Sequence, residues 1–139
     1  MYKFKLFAIL FALIFAAGFS TKANAQNGPV LYFCENYDVD KGEISISDRF
    51  YTGYLTVMVK CDYALGLRDV NIQYDRYNTR TGKFEYYKKF DFVVTPDMKY
   101  IYFSKTKSND MEFNDPGFYR VFLLDSKGKT IASGLVEII

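Results

Sequence analysis

Histidine and tryptophan are both absent from the 139-residue chain, cysteine occurs twice and proline three times. Without histidine there is no Ser-His-Asp or Cys-His catalytic set, because the imidazole carries the proton in each. Histidine-containing zinc sites are excluded for the same reason. An all-cysteine zinc site needs four thiolates, and the chain has two. Any aromatic recognition surface must therefore be built from its 13 tyrosines and 14 phenylalanines. The low hydrophobicity and strong net charge of a disordered chain are missing too: 50% of residues are hydrophobic and the formal charge is +2. The length suits one ordinary domain.

Long apolar runs are scarce. The exception is Leu6 to Phe19, 14 residues without a charge, preceded by Lys3 and Lys5 and followed by Ser20-Thr21-Lys22 and Ala23-Asn24-Ala25. This is the order of a secretory signal peptide ending in Ala-x-Ala. A membrane anchor is the alternative, but 14 residues fall short of the roughly 20 that span a bilayer. No cysteine stands at the cleavage site to carry a lipid. The expected organisation is a cleaved signal over residues 1–25 and a single domain over residues 26–139, with no transmembrane segment after cleavage. The short signal looks bacterial, which implies a periplasmic or secreted protein.

Cleavage also changes the charge. Removing Lys3, Lys5 and Lys22 from the 18 basic residues leaves 15 against 16 acidic ones. A mature chain so balanced has no electrostatic case for nucleic acid or an anionic membrane. In an exported chain the two remaining cysteines invite a bridge, so a Cys34–Cys61 disulfide is expected.

From Val30 onward the apolar pattern has period two. Val30–Glu35 and Glu43–Ser47 read as strands around the turn-rich Asn36–Gly42. Tyr54–Cys61 alternates cleanly, with Leu55, Val57, Val59 and Cys61 on one face. Asp69–Tyr77 and Phe84–Val94 flank the hairpin loop Asn78–Lys83. Phe84, Tyr86, Phe90 and Phe92 are expected on one face, interrupted by Lys88, so a bulge is expected near Lys88-Lys89. Lys99–Ser104, Phe118–Asp125 and Thr130–Ile139 complete the set, the last two around the tight turn Ser126–Lys129. Seven or eight strands with frequent turns and no helix predict an all-β, antiparallel two-sheet sandwich.

The segment Asp115–Ile139, DPGFYRVFLLDSKGKTIASGLVEII, resembles the last hairpin of immunoglobulin-like and fibronectin type III-like domains. Gly117, Tyr119 and Val121 match a G-x-Y-x-V pattern, and the resemblance implies that Tyr119 forms a tyrosine corner, its hydroxyl bonding to the chain just upstream. Antibody-type domains carry a cysteine two residues after that tyrosine and a tryptophan on the third strand. Here Val121 stands at the first position and there is no tryptophan. The same hairpin looks a little like C-terminal sorting domains of type IX secretion, but its Val136-Glu137-Ile138-Ile139 end departs from their basic-then-apolar ending. The resemblance implies a fold, not an activity.

Four groups of residues carry candidate chemistry. Asp38, Asp40 and Glu43 put three carboxylates into six residues, a weak fit to calcium because Gly42 falls at the fifth position and not the sixth. Paired carboxylates for glycosidase chemistry need a cleft that so short a sandwich offers little room for. Tyr77 and Tyr87, among Arg76, Arg80, Lys88 and Lys89, make a possible Tyr/Arg contact surface for protein or glycan. In Phe118–Asp125, Tyr119, Val121 and Leu123 should face the core, leaving Phe122 and Leu124 outward beside Arg120. Such an outer face is either covered by another segment or is a docking surface. The expectation is an exported, non-catalytic binding or assembly module of the bacterial envelope. It would dock an envelope or extracellular protein through Arg120, Phe122, Leu124, Tyr77 and Tyr87, without a cofactor. The alternative is a carbohydrate-binding module using exposed tyrosines, and a small carboxylate hydrolase is the remaining reading.

Overall fold

The computed structural model describes residues 28–139, and the signal peptide expected over residues 1–25 lies outside them. Eleven strands follow in order: β1 (Val30–Asp38), β2 (Gly42–Ser47), β3 (Arg49–Phe50), β4 (Gly53–Tyr54), β5 (Thr56–Lys60), β6 (Asp69–Asn78), β7 (Lys83–Val93), β8 (Tyr100–Phe103), β9 (Glu112–Phe113), β10 (Gly117–Asp125) and β11 (Thr130–Ile138). One sheet has the order β2-β1-β5-β8 and the other β3-β11-β10-β6-β7, with β4 and β9 forming a two-residue ladder of their own. No helix occurs among the described residues. The chain is a two-sheet β-sandwich. Its longer strands pair antiparallel, as expected. The exception is the short β3, which runs parallel to β11 through Glu137–Arg49 and Ile138–Phe50.

The core is the meeting of the two inner faces. Leu31, Phe33, Val57, Val59, Ile101 and Phe103 from the first sheet meet Val70, Ile72, Tyr74, Tyr119, Val121 and Leu123 from the second. The alternation read from the sequence accounts for Val57 and Val59, for Val70, Ile72 and Tyr74, and for Tyr119, Val121 and Leu123, since period two puts every second residue on one face. Aromatic stacking closes one end. Tyr74 lies flat on Phe113 with ring centroids 4.4 Å apart, and Phe113 meets Tyr119 edge-on at 5.0 Å. Where β11 passes β1 the sheets approach closely. A Cβ on Gly134 would stand 2.9 Å from the Leu31 carbonyl oxygen.

The tyrosine corner is present. The Tyr119 hydroxyl donates to the Asp115 carbonyl at 2.7 Å. Burial is the main cause that raises this hydroxyl to a pKa of about 12, so it remains a protonated donor. Arg76 braces the same turn, donating to the Pro116 carbonyl at 2.8 Å and pairing with Asp115 at 3.5 Å. Strand β10 follows directly, and the corner fixes where it enters the sheet.

The expected Cys34–Cys61 bridge is not formed, and both thiols are free and buried. Register explains this. Cys34 stands opposite Thr56, whereas Cys61 lies five residues further along, past the end of β5. At strand spacing that offset is about 16 Å, far beyond the roughly 7 Å between Cα atoms that a disulfide spans.

A candidate docking face on the five-stranded sheet

The outer face of the second sheet is built by cross-strand rows. In one row Leu135, Arg120, Asp75 and Tyr86 stand side by side on β11, β10, β6 and β7. In the next, Phe122 lies between Ser133 and Gln73. Tyr77 pairs with Phe84 at the hairpin end, their rings edge-to-face at 5.2 Å. The Arg120 guanidinium rests over the Phe84 ring, 4.4 Å from its centroid. That contact holds an otherwise mobile cation in place on an apolar surface. Phe118, Leu135 and Tyr86 are 53%, 56% and 65% exposed.

Arg120, Phe122 and Tyr77 therefore share one outer face, as the alternation predicted. Two of the expected contact residues do not join them. Leu124 is only 9% exposed. It sits beside an irregularity where β11 passes from Ala132 to Thr130 against β10, and it offers little surface to a partner. Tyr87 is the extra residue of a β-bulge, since Tyr74 pairs with Lys88 while Asp75 already pairs with Tyr86. It turns inward and meets Tyr119 edge-to-face at 5.5 Å.

That bulge comes within one residue of the expected place, and its effect on phase is larger than the sequence suggests. One inserted residue exchanges the two faces of the strand. Phe84 and Tyr86 consequently point outward, while Phe90 packs on Tyr74 and Phe92 on Phe103. The single aromatic face expected over Phe84, Tyr86, Phe90 and Phe92 is thus split between docking surface and core. The sequence pattern does not mark Phe118, Leu135 and Tyr86 as contact residues. Their signal is visible only once the register sets them beside Arg120.

Tyr77 and Tyr87 do line one small cavity of about 380 Å³ with Arg76, Asn78, Glu85 and Tyr86. The Lys88 ammonium is already over the Tyr87 ring at 5.2 Å, so that ring is engaged within the fold. Glu85 is held below the usual carboxylate range by Asn78 and Thr81.

No protein-family model and no curated protein matches the chain. Among solved structures it is similar to an immunoglobulin-like protein from Pseudomonas aeruginosa, at 12% identity and a TM-score of 0.45, with 83% of this chain and 99% of that one covered.

The carboxylates considered for calcium do not converge. Asp38 accepts the backbone N–H groups of Asp40 and Lys41, both at 2.9 Å, and so closes its own turn. Glu43 reaches away to the Tyr32 hydroxyl, and Asp40 points to solvent on the hairpin tip. No group of three potential metal ligands occurs among the described residues. Of the three, only Asp38 serves the hairpin's own turn.

Proposed function

We propose that the chain is an exported, non-catalytic binding module of the bacterial envelope that docks a protein partner through the outer face of the five-stranded sheet. The observation that carries this reading is the grouping of exposed Phe118, Leu135 and Tyr86 around Arg120, itself held over Phe84. Protein interfaces draw most of their energy from aromatic and arginine anchors of this kind. The face also meets the condition set by the sequence, in which a strand central to a sheet normally shows water a polar outer side. The lack of histidine supports a non-catalytic role, and the apolar run before Ala23-Asn24-Ala25 supports export.

The test is capture from the envelope fraction of the source organism on immobilised protein, read by mass spectrometry. The control bait carries Phe118→Ser and Leu135→Ser, two positions exposed enough to change without disturbing the core. One partner enriched on the native face and lost from the control supports the reading. Equal recovery on both baits, or no enrichment, refutes it.

A further inference from the structure

The outer face of the other sheet is partly covered by the chain itself. The β1–β2 hairpin skips the pairing of Glu35 with Ser45, and Ser45 takes φ +56°. This left-handed conformation is one that L-residues other than glycine rarely adopt. There the hairpin bends, and its tip settles on the outer side of the sheet. Tyr37 stacks on Tyr102 with centroids 4.4 Å apart and meets Tyr100 edge-on at 5.9 Å. Met58 and Cys34 are fully buried on this side, although neither belongs to the core between the sheets.

The bent hairpin leaves an open cleft beside it. This cleft, about 710 Å³, is lined by Val30, Tyr32, Glu43, Ile46, Lys60 and Asp62, and its volume is in the range of small-ligand sites. The Tyr32 hydroxyl donates to Glu43 at 2.5 Å. The Tyr100 hydroxyl, and then that of Tyr32, hold the Glu43 carboxyl down to about 2, so it is ionised at neutral pH. A carboxylate offers about four acceptor positions; two phenols leave room for a ligand. Lys60 rests over the Tyr100 ring at 5.7 Å. Neither Lys60 nor Asp62 is in an ion pair among the described residues.

The charges restrict the occupant. An anion meets two carboxylates against one ammonium. A cation meets Lys60, which already occupies the Tyr100 ring. A wholly apolar ligand strips water from three charged groups without replacing their hydrogen bonds, which is unfavourable. A neutral polyhydroxylated ring satisfies all of these conditions. Its hydroxyls both donate and accept, and its C–H face suits Val30, Ile46 and the Tyr32 ring. We infer that this cleft binds a neutral saccharide, held by Glu43, Asp62 and Lys60 through its hydroxyls and by Tyr32 through its apolar face. The inference is independent of the docking face, which lies on the opposite sheet.

Calorimetric titration with cello-, xylo-, malto- and chito-oligosaccharides tests it, with choline and an oligouronate as cationic and anionic probes. Lys60→Met and Asp62→Asn are the informative variants, because both side chains are exposed and the fold does not depend on them. At least one neutral oligosaccharide binds, and each variant weakens it about tenfold or more, the scale of one hydrogen bond to a charged group. The Phe118→Ser/Leu135→Ser variant binds as tightly as the native protein. The inference is overturned if no neutral oligosaccharide binds, if only choline or the oligouronate does, or if both cleft variants bind unchanged. Binding lost in Tyr77→Ala but kept in Lys60→Met also overturns it, since the sugar then sits at the β6–β7 hairpin.

Discussion

Gly134 offers a direct test of how the two sheets are held. It lies on the inner face of β11 between Ala132 and Val136, opposite Val121 on β10. Its φ is not in the left-handed region, so alanine can adopt its backbone and only space decides the outcome. A Cβ there would be 2.9 Å from the Leu31 carbonyl oxygen, 3.0 Å from Leu31 Cδ2 and 3.2 Å from Phe33 Cε2. The nearest atom belongs to the backbone and cannot rotate away, so β1 must move off β11. Overpacking of this sort costs about 1–3 kcal/mol. Replacing glycine returns about 0.4–1 kcal/mol by restricting the unfolded chain. The steric cost wins, and Gly134→Ala is expected to lose about 1–2 kcal/mol. For a domain of this size that lowers Tm by about 4–9 °C. Urea unfolding followed by circular dichroism gives the free energy directly, with an unchanged m-value as the sign that only the native state was affected. A Tm equal to or above that of the native protein refutes the close approach of β1 and β11.

Two further predictions concern the other sheet. The Glu43 carboxyl, lowered to about 2 by the hydroxyls of Tyr100 and Tyr32, contributes stability that is full above the ordinary glutamate value and is lost as pH falls toward its folded value. Between about pH 5 and pH 2 the native protein should therefore lose stability more steeply than Glu43→Gln, as thermal melts across that range will show; parallel curves would place the carboxyl in water. Because Cys34 and Cys61 are free and separated by register, the protein should yield two reactive thiols when unfolded without reductant, and added reductant should leave Tm unchanged. A thiol titration that finds none contradicts the register.

The sequence made the longer strands legible through their period of two, though not the two-residue β3, β4 and β9 that raise the expected seven or eight to eleven, and it made the tyrosine corner legible because Gly117, Tyr119 and Val121 stand at fixed offsets. What it concealed were features set by pairing. The inserted Tyr87 reverses the faces of β7, so Tyr86 reaches solvent while Phe90 reaches the core. Leu124 looks outward by alternation but is screened where β11 slips by one residue. Cys34 and Cys61 both sit in strand-like segments, yet their distance depends on which residues face each other across β1 and β5. The cleft was hidden for a similar reason. Glu43 is one of three acids in a turn, and only the bend at Ser45 carries it to Tyr32.

The edges of the sandwich bear on which surface a partner can use. Strand addition needs a long, regular edge with free N–H and C=O groups. The β2 edge is broken at Ser45, β8 has four residues and β3 two. Only β7, with 11 residues, is long. The bulge at Tyr87 kinks it, and Lys83, Lys88 and Lys89 along it oppose a second strand. Blunted edges of this kind keep a sheet from pairing with other chains. The outer face of the first sheet is partly taken up by its own hairpin. The outer face of the second, with Phe118, Leu135 and Tyr86 exposed around Arg120, keeps its apolar area free of the chain's own hairpin, which is why the proposed partner is placed there rather than at an edge.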